Sequence, residues 1–174
     1  YYVTKALDPT RPVIDASGGM HYDTDMFDVH DYQQDPDIFR SYFAPMAEDC
    51  NACHVPISRY VGTAPRRPIA YKGQPYWVSE YGGTFWNPAA AKDAKGWGYG
   101  DAPSTEDEFA DRYARLTDVL LSHPRICGFC YTQLTDIEQE QNGLYFYDRT
   151  KKFSNRVYDR IRAANTAAAA IEKE

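Results

Sequence analysis

The chain reads as an α/β protein on a parallel sheet and, more narrowly, as a partial (β/α)8 TIM barrel of about four β/α units. Three observations predict this. Short apolar runs alternate with amphipathic helical stretches four times over, and strand–helix alternation implies parallel strands. No strand is followed by GxGxxG or GxxxxGK[ST], which argues against an open nucleotide-binding sheet. Finally, a complete eight-stranded barrel takes roughly 250 residues, whereas these four units fill 174. The expected organisation is half a barrel over 1–160, with 161–174 as the end of the last helix and a frayed tail.

Each element has its own signal. Val3 and Leu7 are spaced for the end of a helix, which Asp8-Pro9-Thr10-Arg11-Pro12 breaks. Val13 to Ser17 reads as a strand running into Gly18-Gly19, and Met26 to Tyr32 as a second strand. Asp35-Pro36 is an N-cap followed by proline at the first helical position, and Ile38, Phe39, Tyr42, Phe43 and Met46 mark one helical face. Residues 48–74 read as loop with room for a short helix. Tyr76 to Ser79 is the third strand, and 87–103 a long Gly/Ala-rich loop holding Trp97 and Tyr99. Thr105-Glu106-Asp107-Glu108 is a capping box ahead of a stripe at Phe109, Tyr113, Leu116 and Leu120, stopped by His123-Pro124. Ile126 to Leu134 is the fourth strand, and Val157, Ile161 and Ala164 mark a final helix.

Composition narrows the function classes. The net charge of −6 leaves no Lys/Arg stripe to neutralise phosphates; Arg66 and Arg67 form only a local pair. Nucleic acid is therefore not an expected partner. No run of 18 apolar residues exists, so no membrane span is expected. Aromatic content is high at 15%, with fifteen tyrosines, and flat rings with polar handles suit either a wet, sugar-like ligand or a core. No signal peptide is visible, but the chain starts at Tyr1 without Met, so that absence says little.

Cysteines fall at 50, 53, 127 and 130, in two CxxC pairs. Cys50-Asn-Ala-Cys53-His54 matches a c-type haem attachment pattern, but no distal-ligand segment or cytochrome-like helix pattern accompanies it. A four-cysteine zinc site has suitable spacing. Yet Ile126-Cys-Gly-Phe-Cys130-Tyr131 reads as a strand, in which alternation sends Cys127 and Cys130 to opposite faces. The expectation is buried free thiols, no metal, no cofactor and a reducing, cytoplasmic setting.

Residues 75–83, Pro-Tyr-Trp-Val-Ser-Glu-Tyr-Gly-Gly, carry the sharpest signal. A short apolar run ends in one carboxylate, followed by flexible backbone, which is how a buried parallel strand delivers an acid to a barrel mouth. Glu80 is the leading catalytic candidate, the alternative being an ordinary surface glutamate after a strand.

The segments Leu7-Asp-Pro-Thr-Arg-Pro-Val13, Asp28-Val-His-Asp-Tyr32, Trp77-Val-Ser-Glu-Tyr-Gly82, Gly128-Phe-Cys-Tyr-Thr-Gln-Leu-Thr-Asp136 and Glu138-Gln-Glu-Gln-Asn-Gly-Leu144 occur in this order. Together they resemble the C-terminal half of the catalytic barrel of glycoside hydrolase family 2, the β-galactosidase and β-glucuronidase family. The resemblance implies that the four strands are the fifth to eighth of the barrel. It makes Glu80 the nucleophile and Tyr32 the residue whose hydroxyl lies beside it. The family also carries an acid/base glutamate preceded by Asn on the fourth strand; no Asn-Glu pair occurs in this chain. A retaining glycosidase needs two carboxylates about 5 Å apart, so the isolated chain is expected to be inactive.

Among further candidates, His30 and Asp31 sit at a strand mouth, Asp31 either to bind a sugar hydroxyl or to cap a turn. Trp86 and Trp97 line either the sugar site or the core. Gln133 stands where many family members carry an aromatic sugar platform, with Tyr131 beside it as a further sugar-site candidate. Glu138 and Glu140 read as solvated or paired with Arg149, and Asp136 as a loop cap. No Gly-x-Ser-x-Gly occurs and no second His is expected near His30, against a serine hydrolase. This leaves two function classes. One is a piece of a retaining β-glycosidase acting on a β-galactoside- or β-glucuronide-like carbohydrate substrate. The other is a non-catalytic carbohydrate-binding or assembly module. Unpaired strand edges call for a partner, either the missing N-terminal barrel half or a second copy of the chain.

Overall fold

The structure is a computed structural model that describes residues 1–56, 69–88 and 96–173. The Arg66-Arg67 pair and parts of both long loops fall outside them.

Helix α1 (Tyr2–Leu7) ends where Asp8 turns extended. Strand β1 (Phe27–Asp31), helix α2 (Pro36–Glu48), strand β2 (Tyr76–Tyr81), helix α3 (Glu106–Leu121), strand β3 (Ile126–Tyr131) and helix α4 (Asn155–Asn165) come next along the chain. The strands form one parallel sheet in the order β1-β2-β3. The N-caps form where expected, but the capping box does not close: the Glu108 carboxylate accepts from Ser104 N–H rather than from Thr105 N–H. Asp35 accepts from the backbone N–H groups of Asp37 and Ile38 at the start of α2, and Thr105 accepts from Glu108 N–H at the start of α3. A short 3-10 turn at Cys50–Ala52 is the helix expected within 48–74. The tail carries a 3-10 turn at Ala170–Glu172.

Among the described residues the sheet has three strands where four were expected. Val13–Ser17 is irregular because its polar groups are satisfied locally. Val13 N–H donates to the Asp25 carboxylate at 2.9 Å, and Val13 C=O accepts from Asp25 N–H at 2.9 Å. The Asp15 carboxylate takes the N–H groups of Tyr22 and Asp23 and meets the His21 ring at 2.8 Å. Contacts of this kind close 13–17 into a loop, and Val13 has no free ladder groups to offer β1.

One face of the sheet is covered by α2 and α3. Phe27, Val29, Tyr76, Val78, Tyr81 and Ile126 are buried there against Phe39, Phe43 and Met46 of α2 and Leu116, Val119 and Leu120 of α3. Tyr76 and Val78 thus point toward the helices. A second cluster joins Trp86, Phe109, Tyr113, Phe153, Val157 and Ile161, docking α4 on α3. The other face is more open. Trp77 is only partly buried, with its ring close enough to Gly128 that a side-chain carbon there would come within 2.2 Å of it. Cys127 and Cys130 are free and exposed, which corrects the expectation of buried thiols: β3 buries Ile126 against the helices and leaves both sulfurs away from that core. Among the described residues no cluster of three or more His, Cys, Asp or Glu is arranged for a metal ion, and no helix is long and apolar enough to cross a membrane.

Candidate functional site

The site lies where β1 and β2 end side by side. Val29 pairs with Val78 and His30 with Glu80, so Ser79 is an extra residue in β2. Such a bulge re-aims the residues beyond it. Strict alternation would send Glu80 to the helix face with Tyr76 and Val78. Instead, Tyr81 takes that place in the core, and both Ser79 and Glu80 reach the polar groups of β1.

Around Glu80 the sequence-predicted residues come together. Tyr32 Oη donates to Glu80 Oε2, and His30 Nδ1 lies 3.2 Å from the same oxygen. Burial, then the hydrogen bond to Glu80 and its charge, push the Tyr32 hydroxyl far above the ordinary tyrosine range, so it serves as a donor. The Tyr32 ring stacks on Tyr99 with centroids 3.6 Å apart and 8° between planes, and Tyr99 meets Trp97 edge-on. Trp97 itself is about half exposed. These rings form an aromatic wall beside the carboxylate.

The remaining candidates separate from the site to different degrees. Asp31 is buried: one oxygen accepts from Gln33 N–H at 2.8 Å and the other meets His54 Nε2 at 2.6 Å. The turn-capping alternative is the one that the structure displays. Trp86 is in the second core cluster, stacked on Phe153, so its place is packing and not the open site. Tyr131 Oη accepts from Thr84 N–H at 3.2 Å and donates to Asn142 C=O at 3.4 Å. Burial raises its hydroxyl strongly. Its ring underlies Gly82, where a side-chain carbon would come within 2.3 Å and φ is +76°; only glycine turns the chain there after Glu80. Gln133 Nε2 donates to Asn142 Oδ1 at 3.0 Å. Asp136 caps its loop as read, taking Gly143 N–H at 2.8 Å, and is joined by the fully buried ammonium of Lys152 at 2.6 Å. Glu140 accepts from Asn142 Nδ2 at 3.0 Å.

Several polar residues escaped sequence reading. Ser17 Oγ donates to the buried carboxylate of Asp28 at 2.5 Å and lies 2.9 Å from His30 Nε2; Ser79 Oγ also donates to Asp28. His21 Nε2 sits 3.3 Å from the other oxygen of Asp28. A second histidine is therefore close to this network, contrary to expectation. These links span 7 to 51 residues of chain, and no short motif encodes them.

No protein-family model matches the chain, and the sequence of no curated protein matches it. Solved structures do. The chain is similar to a GH2 β-galacturonidase from Eisenbergiella tayi, with a TM-score of 0.62, 13% identity, and coverage of 100% of this chain and 30% of that one. It is similar to a β-D-glucuronidase from Dictyoglomus thermophilum, with a TM-score of 0.57, 16% identity, and coverage of 98% and 28%. It is also similar to Bacteroides uniformis β-glucuronidase 2, with a TM-score of 0.51, 18% identity, and coverage of 82% and 15%. At these identities the likeness is one of fold, and the chain spans less than a third of the length of each of these proteins.

Proposed function

We propose that this chain is the C-terminal half of the (β/α)8 catalytic domain of a retaining β-glycosidase, with Glu80 as nucleophile and Tyr32 as its hydrogen-bond donor. The observation that carries the reading is the convergence of Tyr32 Oη and His30 Nδ1 on one oxygen of Glu80, at adjacent ends of two parallel strands. A carboxylate that is to attack an anomeric carbon must be ionised and aimed, and donors to its charged form favour both. The fold likeness to a β-glucuronidase and a β-galacturonidase supports a β-glucuronide-like sugar as the substrate class.

In this reading Glu80 displaces the aglycone to form a glycosyl–enzyme ester. A second carboxyl group, supplied from outside this chain, gives its proton to the departing oxygen and then, as carboxylate, takes a proton from the water that releases the sugar. Trp97 and Tyr99 give the sugar an apolar surface beside Glu80, and Gln133 adds an amide. The same partner would cover the open sheet face around Trp77: the missing N-terminal barrel half, or a second copy. The chain alone has no turnover on aryl β-glycosides.

The test is Glu80→Gln in an active parent enzyme. Turnover should fall by several orders of magnitude and be partly restored by azide or formate, which replace the missing nucleophile. A variant that keeps more than about a tenth of its activity, a change under ~1.4 kcal/mol in barrier, overturns the assignment.

A further inference from the structure

The glycosidase reading uses Glu80 and Tyr32 and leaves a buried carboxylate unexplained. Asp28 is fully buried on β1, a costly position unless its lone pairs are filled. Its Oδ2 accepts from Ser17 Oγ at 2.5 Å, from Ser79 Oγ and from Gly18 N–H at 3.2 Å. A serine hydroxyl carries one proton, and that of Ser17 goes to Asp28. Toward His30 Nε2, 2.9 Å away, Ser17 can then only accept, so Nε2 must carry a hydrogen. The other ring nitrogen, Nδ1, faces Glu80 Oε2 at 3.2 Å. A bare lone pair there would repel the carboxylate, whereas an N–H attracts it. A ring protonated at Nε2 offers N–H at Nδ1 only as imidazolium.

The opposite polarity would have Ser17 donate to His30, completing a Ser–His–Glu relay of the serine-hydrolase type. It would strip the buried Asp28 of a short charge-assisted bond, and Ser79 and Gly18 alone would remain to satisfy that oxygen. The charged groups that face the ring in the described contacts, Asp28 from β1 and Glu80 from β2, are both carboxylates, which favours the cation. The ring also lies against Gly18, where an added side-chain carbon would come within 3.2 Å of Nδ1 and φ is +105°. The backbone there leaves the ring just enough room.

We propose that His30 is a positioning residue that acts through Glu80: braced by Ser17 against buried Asp28, it presents a protonated Nδ1 to Glu80 Oε2 alongside the Tyr32 hydroxyl, and so holds the carboxylate in one orientation. The catalytic consequence rests on the nucleophile reading above; the brace itself does not.

The test is 15N NMR of the histidine rings in the purified protein at pH 7. His30 should show the two-proton imidazolium pattern in the wild-type protein and revert to the one-proton neutral pattern in Glu80→Gln, which leaves the ring and its brace in place. Ser17→Ala should shift the same signal part of the way. A neutral ring in the wild-type protein, unchanged by Glu80→Gln, overturns the proposal whatever the enzyme does. In an active parent, His30→Ala should lower kcat more than tenfold with KM changed less than twofold; equal effects on both would mean that the ring serves binding or packing only. If the NMR pattern holds while Glu80→Gln keeps full turnover, the brace stands and the nucleophile reading falls.

Discussion

Two pairs in this molecule, a carboxylate with a lysine and a carboxylate with a histidine, make an instructive contrast. Asp136 and Lys152 meet at 2.6 Å with the lysine side chain fully buried, and the ammonium also donates to the carbonyls of Gln141 and Gly143. Every proton has a backbone or carboxylate target inside one loop. Burial lowers the Lys152 pKa despite the bond to Asp136, and the pair staples the 136–143 loop. Glu80 and His30, by contrast, are only partly covered, with side chains 37% and 27% exposed. Their partners come from three separate segments, and both described contacts of Glu80 fall on one oxygen. A pair closed on all sides serves the fold, while a pair held from one side and left open on the other can meet a substrate.

The contrast can be broken most sharply at the staple. Lys152→Ala leaves Asp136 buried with an unpaired charge, and should cost about 3–5 kcal/mol in urea unfolding. A loss below ~1 kcal/mol would mean that water reaches the loop and the staple is not closed. At the open pair, Tyr32→Phe should leave the unfolding midpoint almost unchanged yet reduce kcat of an active parent roughly 10- to 100-fold, the worth of one hydrogen bond to a charged group. If stability falls and kcat does not, Tyr32 belongs with the structural pairs.

A third carboxylate extends the contrast through pH. Burial opposes the Asp15 charge, but the N–H of Tyr22, the His21 ring and the N–H of Asp23 outweigh it and bring the carboxyl down to about 2. A folded value below the unfolded one, near 3.9, stabilises the protein above pH ~4, and this support is lost as pH falls toward 2. Wild-type protein should therefore exceed Asp15→Asn by about 2 kcal/mol at pH 6. The gap should close in urea titrations between pH 4 and pH 2. A gap independent of pH would assign the effect to lost hydrogen bonds alone.

How much of the fold and site was legible in the sequence depends on the range of each interaction. The caps at Asp35 and Thr105 and the core stripe of α3 are local, and sequence periodicity exposes them. Glu80 was visible as the one acid ending a buried run, and Tyr32 through a family resemblance. Segment 13–17 looked like a strand because Val13 and Ile14 are apolar, while the groups that close it into a loop, Asp25 and His21, lie several residues away. The extra residue at Ser79 that turns Glu80 out of the core leaves no mark in a period-two pattern. The joining of Ser17, Asp28, Ser79 and His30 depends on how two strand ends and a loop meet, which spacing alone does not encode. The exposure of Cys127 and Cys130 depends on which sheet face the helices cover.

The most direct test of the central claim is to trap the reaction on the enzyme. An active parent protein would be incubated with a 2-deoxy-2-fluoro β-glycoside bearing a good leaving group and its peptides mapped by mass spectrometry. The expected result is one sugar label per site, on Glu80 in the peptide around Trp77-Val78-Ser79-Glu80-Tyr81, and no label in Glu80→Gln. A label on any other carboxylate, or equal labelling of the Glu80→Gln variant, would contradict the assignment of Glu80 as nucleophile.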